Sequence, residues 1–486
     1  MLLKTLIVCA FALMIITVGI LGLRKTRSFA DYFLGGGTIG PYMTAFTYGA
    51  AYFSAVLFIG FAGKVGWDFG LSGLWIALGN TVVGVLGVWW LMGNRIKQMS
   101  LDYKVQTMPE YFEKRYVSRG FRLYSSAAIF VFLVPYSAAV FIGLSYLFKV
   151  NFGIEYSLAL FFMGGFTALY IVMGGYKSMT MIDVLFGIIM ATGAFVLLVS
   201  TIATAGGLNA LMAALRTIDP RLTQSVGPPG LWPLLSLVFL TSVAPYAMPQ
   251  LVQKFYAIKD RRAIRIGMVA STLFSLLISI CAYFTGASIR VFLTTENTPA
   301  AFHEGKPIFD ALMPELLTQV VPTSLATLML LLILSASMST LAALVLISSS
   351  SVVKDLYAGF VNTRVSDSRL TLLMRLCSAF FVCVSVVLAY IRPATIVSIL
   401  SISWGAMGAA FLGPFVWGIL CKWITKAGAI TSSVTGLGAC LVLYATGTPA
   451  PQAGTIGMLI SLIVSPLVSA LTRGTPGTIT SAQSSS

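Results

Sequence analysis

The chain has 486 residues, of which 58% are hydrophobic and only 9% are charged. Soluble globular domains carry about a quarter charged residues, so this composition excludes an ordinary soluble fold and predicts a protein that lies in lipid. The net charge of +16 suggests a nucleic-acid partner only until the positions of the charges are considered.

Apolar stretches long enough to cross a bilayer recur along the whole chain. A spanning helix needs roughly 17–25 mostly apolar residues, and we predict about thirteen such stretches. Their centres lie near residues 13, 53, 82, 135, 165, 191, 240, 277, 333, 381, 407, 436 and 462. We therefore predict an all-α polytopic membrane protein with a single transmembrane domain over residues 1–472 and a disordered cytoplasmic tail over 473–486.

Basic residues are concentrated in alternate loops. If the N-terminus lies outside, most of the 31 Lys and Arg residues fall in inner loops, including those at 95–122 and 254–265. This asymmetry predicts an outer N-terminus and an inner C-terminus in the plasma membrane. The charge therefore reports topology, and no nucleic-acid partner is expected. The six cysteines are scattered and the single His303 lies in an outer loop, so neither a metal cluster nor thiol chemistry is predicted.

Two of the stretches contain residues that interrupt a helix. The second, Pro41 to Gly60, has a Gly-Ala-Ala run at its middle, and the seventh contains Pro245 and Pro249. Proline frees backbone carbonyls at membrane depth, and neighbours, water or a ligand must bond them. The interrupted stretches stand five apart, as in a five-plus-five inverted repeat with halves at about 38–205 and 228–424. Ordinary proline kinks are the alternative interpretation.

Two further features lie in the first half of the chain. Pro109 in the long inner loop, with acidic residues behind it, predicts the start of a short amphipathic helix. Asp183 is the only acid that the sequence places within an apolar stretch, and an intramembrane carboxylate indicates an ion or proton path. A carboxylate that is paired with Lys177, or solvated from the inner side, is the alternative.

The ninth stretch carries a polar face. Ala336, Ser339 and Thr340 are spaced so that they share one side of a helix. Carbonyl and hydroxyl oxygens there suit a sodium ion that leaves water, and the unwound backbone from Ala50 to Phe53 is the expected opposite wall. Helix packing through small residues explains the same spacing equally well.

A substrate cavity is expected between the two interrupted stretches. Binding pockets combine apolar walls with a few polar groups, and five residues near the interruptions fit that description. The candidates are Tyr52, Ser54, Tyr246, Gln250 and Trp404. Each of them is also compatible with packing or with an interfacial aromatic position.

Several motifs resemble the sodium/solute symporter family. They occur in family order and cover most of the chain up to about residue 420, at 29–36, 49–54, 107–111, 174–177, 180–183, 338–341 and 353–357. The resemblance implies a leucine-transporter-like fold, with one extra helix at the N-terminus and two at the C-terminus. It also implies that Na⁺ is the coupling ion, held by the Ala50, Phe53 and Ala336 carbonyls and by the Ser339 and Thr340 hydroxyls.

Two departures from the family pattern refine that expectation. Some members use the acid at Asp183 in a second sodium site, which needs hydroxyls one turn beyond the Ser/Thr pair. This chain has Ala342 and Ala343 there, so one sodium is expected. Proline permeases of the family carry an acid where this chain has Tyr52, so the resemblance does not imply that proline is the substrate.

The sequence therefore predicts a sodium-coupled symporter, not an enzyme, that imports a small organic solute by alternating access. An amino acid, a monocarboxylate, a vitamin or a sugar all remain open. The alternatives are a proton-coupled transporter of the same fold that uses Asp183, a channel, a membrane enzyme and a sensor. The spans carry few ionisable groups and no histidine, and the tail is short, which disfavours the last three.

Overall fold

The computed structural model describes residues 2–25, 29–35 and 39–472, so the predicted tail lies outside the described residues. The chain begins with α1 (Leu2–Lys25), an apolar helix that packs on α9 (Tyr156–Thr204). Only 22% of its membrane window is buried within the protein. A helix so exposed and so apolar faces lipid, as the sequence predicts.

The second span is broken near its middle. It follows α2 (Phe29–Leu34) and consists of α3 (Pro41–Tyr52), a π-helical segment Val56–Phe61 and α4 (Ala62–Phe69). Pro41 opens α3, where its missing N–H costs nothing. The chain leaves the helix at Phe53 and Ser54, just after the Gly-Ala-Ala run where the sequence predicts the interruption.

The rest of the first half contains long helices. After a 3₁₀ turn at Gly70–Gly73, the elements are α5 (Leu74–Gly79), a π-helical segment Asn80–Gly93, α6 (Asn94–Asp102), α7 (Met108–Tyr116), α8 (Arg119–Phe152) and α9. Gly175, at φ 62°, kinks α9 and separates its two membrane spans. Helix α7 is the predicted amphipathic helix: the Thr107 side chain caps it by accepting from the Glu110 N–H.

The seventh span is also broken. The elements of this region are α10 (Leu208–Ile218), a 3₁₀ turn at Pro220–Thr223, α11 (Leu231–Val243), a 3₁₀ turn at Ala244–Ala247, α12 (Pro249–Ala257) and α13 (Arg261–Ala287). The axis bends by 42° at Met248, between the two prolines that predict the break. The two broken spans are tied together, because the Ile39 N–H just before α3 donates to the Ala257 carbonyl at the end of α12 at 3.2 Å.

The outer loop after α13 is compact. It contains α14 (Ile289–Phe292), a 3₁₀ turn at Pro299–Ala301, the two-residue antiparallel strands β1 (Phe302–His303) and β2 (Lys306–Pro307), and α15 (Phe309–Val320). Helix α15 packs on α4 and on the π-helical segment before it. The second half of the broken second span, from Val56 to Phe69, is therefore covered by α15.

The last part of the chain provides the centre and one edge of the bundle. Its elements are α16 (Ala326–Ser350), a π-helical segment Ser351–Val361, α17 (Asp367–Ile391), α18 (Ile396–Leu412), a π-helical segment Gly413–Trp417, α19 (Gly418–Leu420), α20 (Lys426–Ala445) and α21 (Ala450–Leu471). The span that contains α16 is 94% buried, whereas that of α20 is 33% buried. Helix α16 is therefore the central helix.

Among the described residues, eleven helices are long and apolar enough to cross a membrane, and the bent pair around Met248 makes up to twelve. One of the eleven, Val56–Asp102, is 47 residues long, well beyond what a bilayer requires, and it contains Gly70 at φ 58°. The polytopic all-α class is confirmed. The number thirteen stays a prediction.

Ion pairs join α7, α8 and the segment that follows α16. Arg122 at the start of α8 lies 2.7 Å from Glu113 of α7 and 3.5 Å from Asp355 in the segment after α16. Lys354 lies 3.5 Å from Glu110. Asp355 and Arg122 are largely buried, so these pairs lie where α7 and α8 meet the C-terminal end of the central span.

Candidate ion and substrate site

The polar face of the ninth stretch lies on α16 and points into the protein. Ala336, Ser339 and Thr340 are all fully buried. The Thr340 Oγ1 lies 3.0 Å from the Ala336 carbonyl oxygen and 3.1 Å from the Ala50 carbonyl oxygen. One hydroxyl thus joins the central helix to the broken second span, and three of the predicted sodium ligands lie together.

The opposite wall is the end of α3. The last carbonyls of a helix lack partners within that helix, so the break leaves acceptors that point away from α3. Phe53 is extended at φ −106° and ψ 117°, and its N–H donates to the Gly49 carbonyl. Just beyond the break, the Ala55 N–H donates to the Ser337 Oγ at 3.3 Å, so α16 also holds the far side of the break.

Unpaired oxygen atoms surround this contact. The hydroxyls of Ser339 and Thr47 and both carboxylate oxygens of Asp183 are buried, and none has a hydrogen-bond partner among the described residues. The two hydroxyls face the Asp183 carboxylate and interact with it. Buried polar groups are nearly always hydrogen-bonded, so a cluster of unpaired hard oxygens fits a cation such as sodium.

Lys254, a basic residue near this cluster, lies in a different environment from the one that the sequence predicts. The sequence groups Lys254 with the charges of an inner loop, but α12 continues through it and its side chain is fully buried. Its Nζ has no hydrogen-bond partner among the described residues and lies 4.9 Å from the centre of the Tyr176 ring. The sequence alone gives no signal for this, because Lys254 is followed by further basic residues.

A narrow cavity of about 30 Å³ adjoins the break in the second span. Tyr52, Ser54 and Trp404 line it, as the sequence predicts. Tyr246 and Gln250 lie outside its wall. The Tyr246 hydroxyl lies against Gly87 instead, and the Gln250 side chain is fully buried with both amide atoms unpaired among the described residues.

The cavity wall is largely apolar and aromatic, with a few polar groups and no charged side chain. The Tyr52 hydroxyl donates to the Thr241 carbonyl at 2.7 Å, and the Trp404 Nε1 is buried without a partner among the described residues. Four further polar residues of the wall are not among the candidates from the sequence; they are Asn80, Tyr136, Thr241 and Tyr283. Asn80 alone carries a signal, as an amide within an apolar stretch; the others come together only through contacts between distant spans.

Comparisons with known proteins bear on this arrangement. The sequence model described as "Sodium:solute symporter family" matches residues 32–436 of this chain. That range includes both broken spans and the central helix.

Curated relatives match over most of their own length. The chain is 26% identical to the osmoregulated proline transporter of Bacillus subtilis, over 94% of this chain and 92% of that protein. It is 27% identical to the sodium/pantothenate symporter of Escherichia coli, over 88% of this chain and 87% of that protein. It is 29% identical to the sodium/proline symporter of Haemophilus influenzae, over 86% and 84% respectively.

Solved structures share the fold. A Na⁺-coupled sialic acid symporter in a substrate-bound outward-open state aligns with a TM-score of 0.80 at 16% identity, covering 96% of this chain and 97% of that one. The nucleobase-cation-symport-1 family transporter Mhp1, in a closed conformation, aligns with a TM-score of 0.56 at 13% identity, covering 91% and 95%. The predicted leucine-transporter-like architecture is confirmed.

Proposed function

Because this chain belongs to the sodium:solute symporter family, we propose that it imports a small organic solute together with one sodium ion. Members of this family are transporters, not enzymes, and sodium-coupled solute import follows from membership. Proton coupling through Asp183 is not favoured, since the named relatives include sodium/proline and sodium/pantothenate symporters. The plasma membrane, with the N-terminus outside and the C-terminus inside, is the proposed location.

The proposed sodium ligands are the Ala50, Phe53 and Ala336 carbonyl oxygens and the Ser339 and Thr340 hydroxyls. One observation carries the proposal: the Thr340 Oγ1 lies within hydrogen-bonding distance of both the Ala50 and the Ala336 carbonyl. A cation that binds at this point exchanges its water ligands for protein oxygens that already lie close together. The unpaired Ser339 hydroxyl supports the same position.

The site accounts for coupling between the ion and the solute. A sodium ion that bridges α16 and the end of α3 fixes the backbone from Ala50 to Phe53, and the next residues, beginning with Ser54, line the cavity. Sodium binding therefore favours the cavity shape that binds solute, which is a shift between existing conformations. The broken spans then rock against the other helices and open the site inward.

The solute is proposed to bind in the cavity lined by Tyr52, Ser54 and Trp404. Relatives are named for proline and pantothenate, and a structural neighbour for sialic acid. The uncharged wall accepts these classes through hydroxyl, amide and indole groups, and it leaves an amino acid, a monocarboxylate, a vitamin or a sugar as candidates.

The test uses purified protein in liposomes, with a solute chosen by thermal-shift screening in sodium and potassium buffers. Uptake should follow an inward sodium gradient and ignore a proton gradient. The double variant Ser339→Ala/Thr340→Ala should abolish sodium dependence, because it removes both hydroxyl ligands while leaving the helix intact. Ser348→Ala, on the same helix and also buried without a partner among the described residues, is the matched control. Unchanged sodium-driven uptake in the double variant would refute the site.

A further inference from the structure

Two buried groups of opposite charge lie next to the proposed sodium site. Asp183 on α9 and Lys254 on α12 are each fully buried, and their charged atoms have no hydrogen-bond partner among the described residues. The two charges interact electrostatically across the space between their helices. An isolated charge at membrane depth is costly, so each of these groups requires a compensating charge or ion.

Tyr176 shows how the two groups are brought together. The Lys254 ammonium lies over its ring, 4.9 Å from the centre. Tyr176 and Asp183 are two helical turns apart on α9, and residues at that spacing share a face. Lys254 therefore sits against the side of α9 that carries Asp183. The alternative partner Lys177 has a side chain outside the described residues.

Few side chains near Asp183 could act as ligands of a second sodium ion. The Ser339 and Thr47 hydroxyls lie beside the carboxylate. One turn further along α16, however, the buried positions are Ala342 and Ala343, whose side chains have no oxygen. Among the described residues, the cation supplied to this carboxylate is the Lys254 ammonium.

We propose that Lys254 is the built-in counter-charge of Asp183, and that this pair, in place of a second sodium, sets the sodium affinity of the Ser339/Thr340 site. The inference rests on the proposed sodium site and extends it. Ser339 links the charge pair to the sodium site, because it is a proposed sodium ligand and also a neighbour of Asp183. A carboxylate without its counter-charge would attract the ion strongly, and an ammonium without its carboxylate would repel it.

The charge pair can be tested by equilibrium binding of radioactive sodium to the purified full-length protein at pH 7, where a carboxylate and an ammonium are both ionised. Lys254→Met should tighten sodium binding on the order of tenfold or more, since a nearby buried charge acts through a low effective dielectric. Asp183→Asn should weaken binding by a similar factor. The double variant Asp183→Asn/Lys254→Met should return to wild-type affinity.

Two further variants act as controls. Lys254→Arg keeps the charge and should bind sodium as the wild type does, which a purely steric role for the lysine would not predict. Lys177→Met should change nothing. The proposal is overturned if Lys254→Met keeps wild-type affinity, if Lys177→Met reproduces the effect, or if the double variant stays as weak as Asp183→Asn, because the carboxylate would then be a direct sodium ligand.

The outcomes separate this inference from the proposed function. If the wild type shows no saturable sodium binding, or if Ser339→Ala/Thr340→Ala leaves binding intact, the sodium site itself is wrong. If the wild type binds sodium through Ser339 and Thr340 but is insensitive to the Lys254 charge, only the counter-charge role is wrong. Should Lys254→Met fail to fold, Lys254→Gln removes the same charge with a polar side chain and carries the same prediction.

Discussion

Several interior positions accept no side chain at all. A Cβ on Gly66 of α4 would lie 2.1 Å from the backbone carbonyl of Gly286 on α13. Two helices in lipid gain stability mainly from close packing, and glycine permits the approach of their backbones. The contact lies on the second half of the broken second span, so it anchors a segment that adjoins the cavity.

Gly66→Ala should therefore destabilise the protein by about 1–3 kcal/mol or more, as overpacking of a dense interior does. Loss of the monodisperse peak on heating, followed by fluorescence-detected size exclusion, measures the effect. Gly165→Ala is the control: Gly165 also lies in a membrane helix, but its added Cβ meets nothing within 4 Å. Equal thermal stability of the two variants would contradict the packing account.

Single residues also show what the sequence could and could not predict. The sequence identifies Thr340 as a candidate ligand, because a hydroxyl within an apolar stretch must pack against another helix or bind a polar group. Lys254 was missed because it begins a run of basic residues that resembles a loop, and only the continuation of α12 shows that it is buried. The cavity wall contributed by Tyr136 and Tyr283 depends on contacts between distant spans, which no local pattern encodes.

One carboxylate joins α15 to the start of α18. Both Asp310 oxygens lie 3.3 Å from the Ile396 N–H, at a helix N-terminus that favours negative charge. Burial raises the pKa of Asp310 to about 7, although that hydrogen bond and the charges of Lys64 and Arg392 oppose the rise. The hydroxyls of Tyr146 and Tyr156 face the same group.

This raised pKa has a defined effect on stability. The folded protein holds the Asp310 proton more tightly than the unfolded chain, so the contribution to stability is full below about pH 4 and is lost as the pH rises through about 7. Asp310→Asn should make the melting temperature fall less steeply between pH 5 and pH 8. Glu304→Gln, an exposed acid in the same outer region, should keep the wild-type slope. Identical slopes for Asp310→Asn and the wild type would contradict the assignment.

Local signals predicted elements well where capping or proline decides the backbone. Pro109 and Thr107 begin α7 as predicted, and the prolines at 245 and 249 bracket the bend of the seventh span. The break in the second span falls at Phe53 and Ser54, just beyond the Gly-Ala-Ala run, because the backbone N–H groups beyond it bond Ser337 and Ser54 side chains. The bond to Ser337 joins distant parts of the chain and is not visible in the local sequence.

At the scale of the whole molecule, the broken spans lie beside a central helix that the rest of the fold surrounds. The ion pairs of Arg122 and Lys354 join α7 and α8 to the end of the central span, and we expect these elements to move as one body. The two broken spans are tied to each other through Ile39 and Ala257, and we expect them to move as another. Sodium at Thr340 would lie where these two bodies meet.

The central claim is that one sodium ion binds between Ala50 of the second span and Thr340 of the central helix. Equilibrium binding of radioactive sodium to the purified protein tests it without knowledge of the solute. We predict one saturable site per chain, lost in Ser339→Ala/Thr340→Ala and retained in Ser348→Ala. Saturable binding that survives the double substitution unchanged would contradict the account.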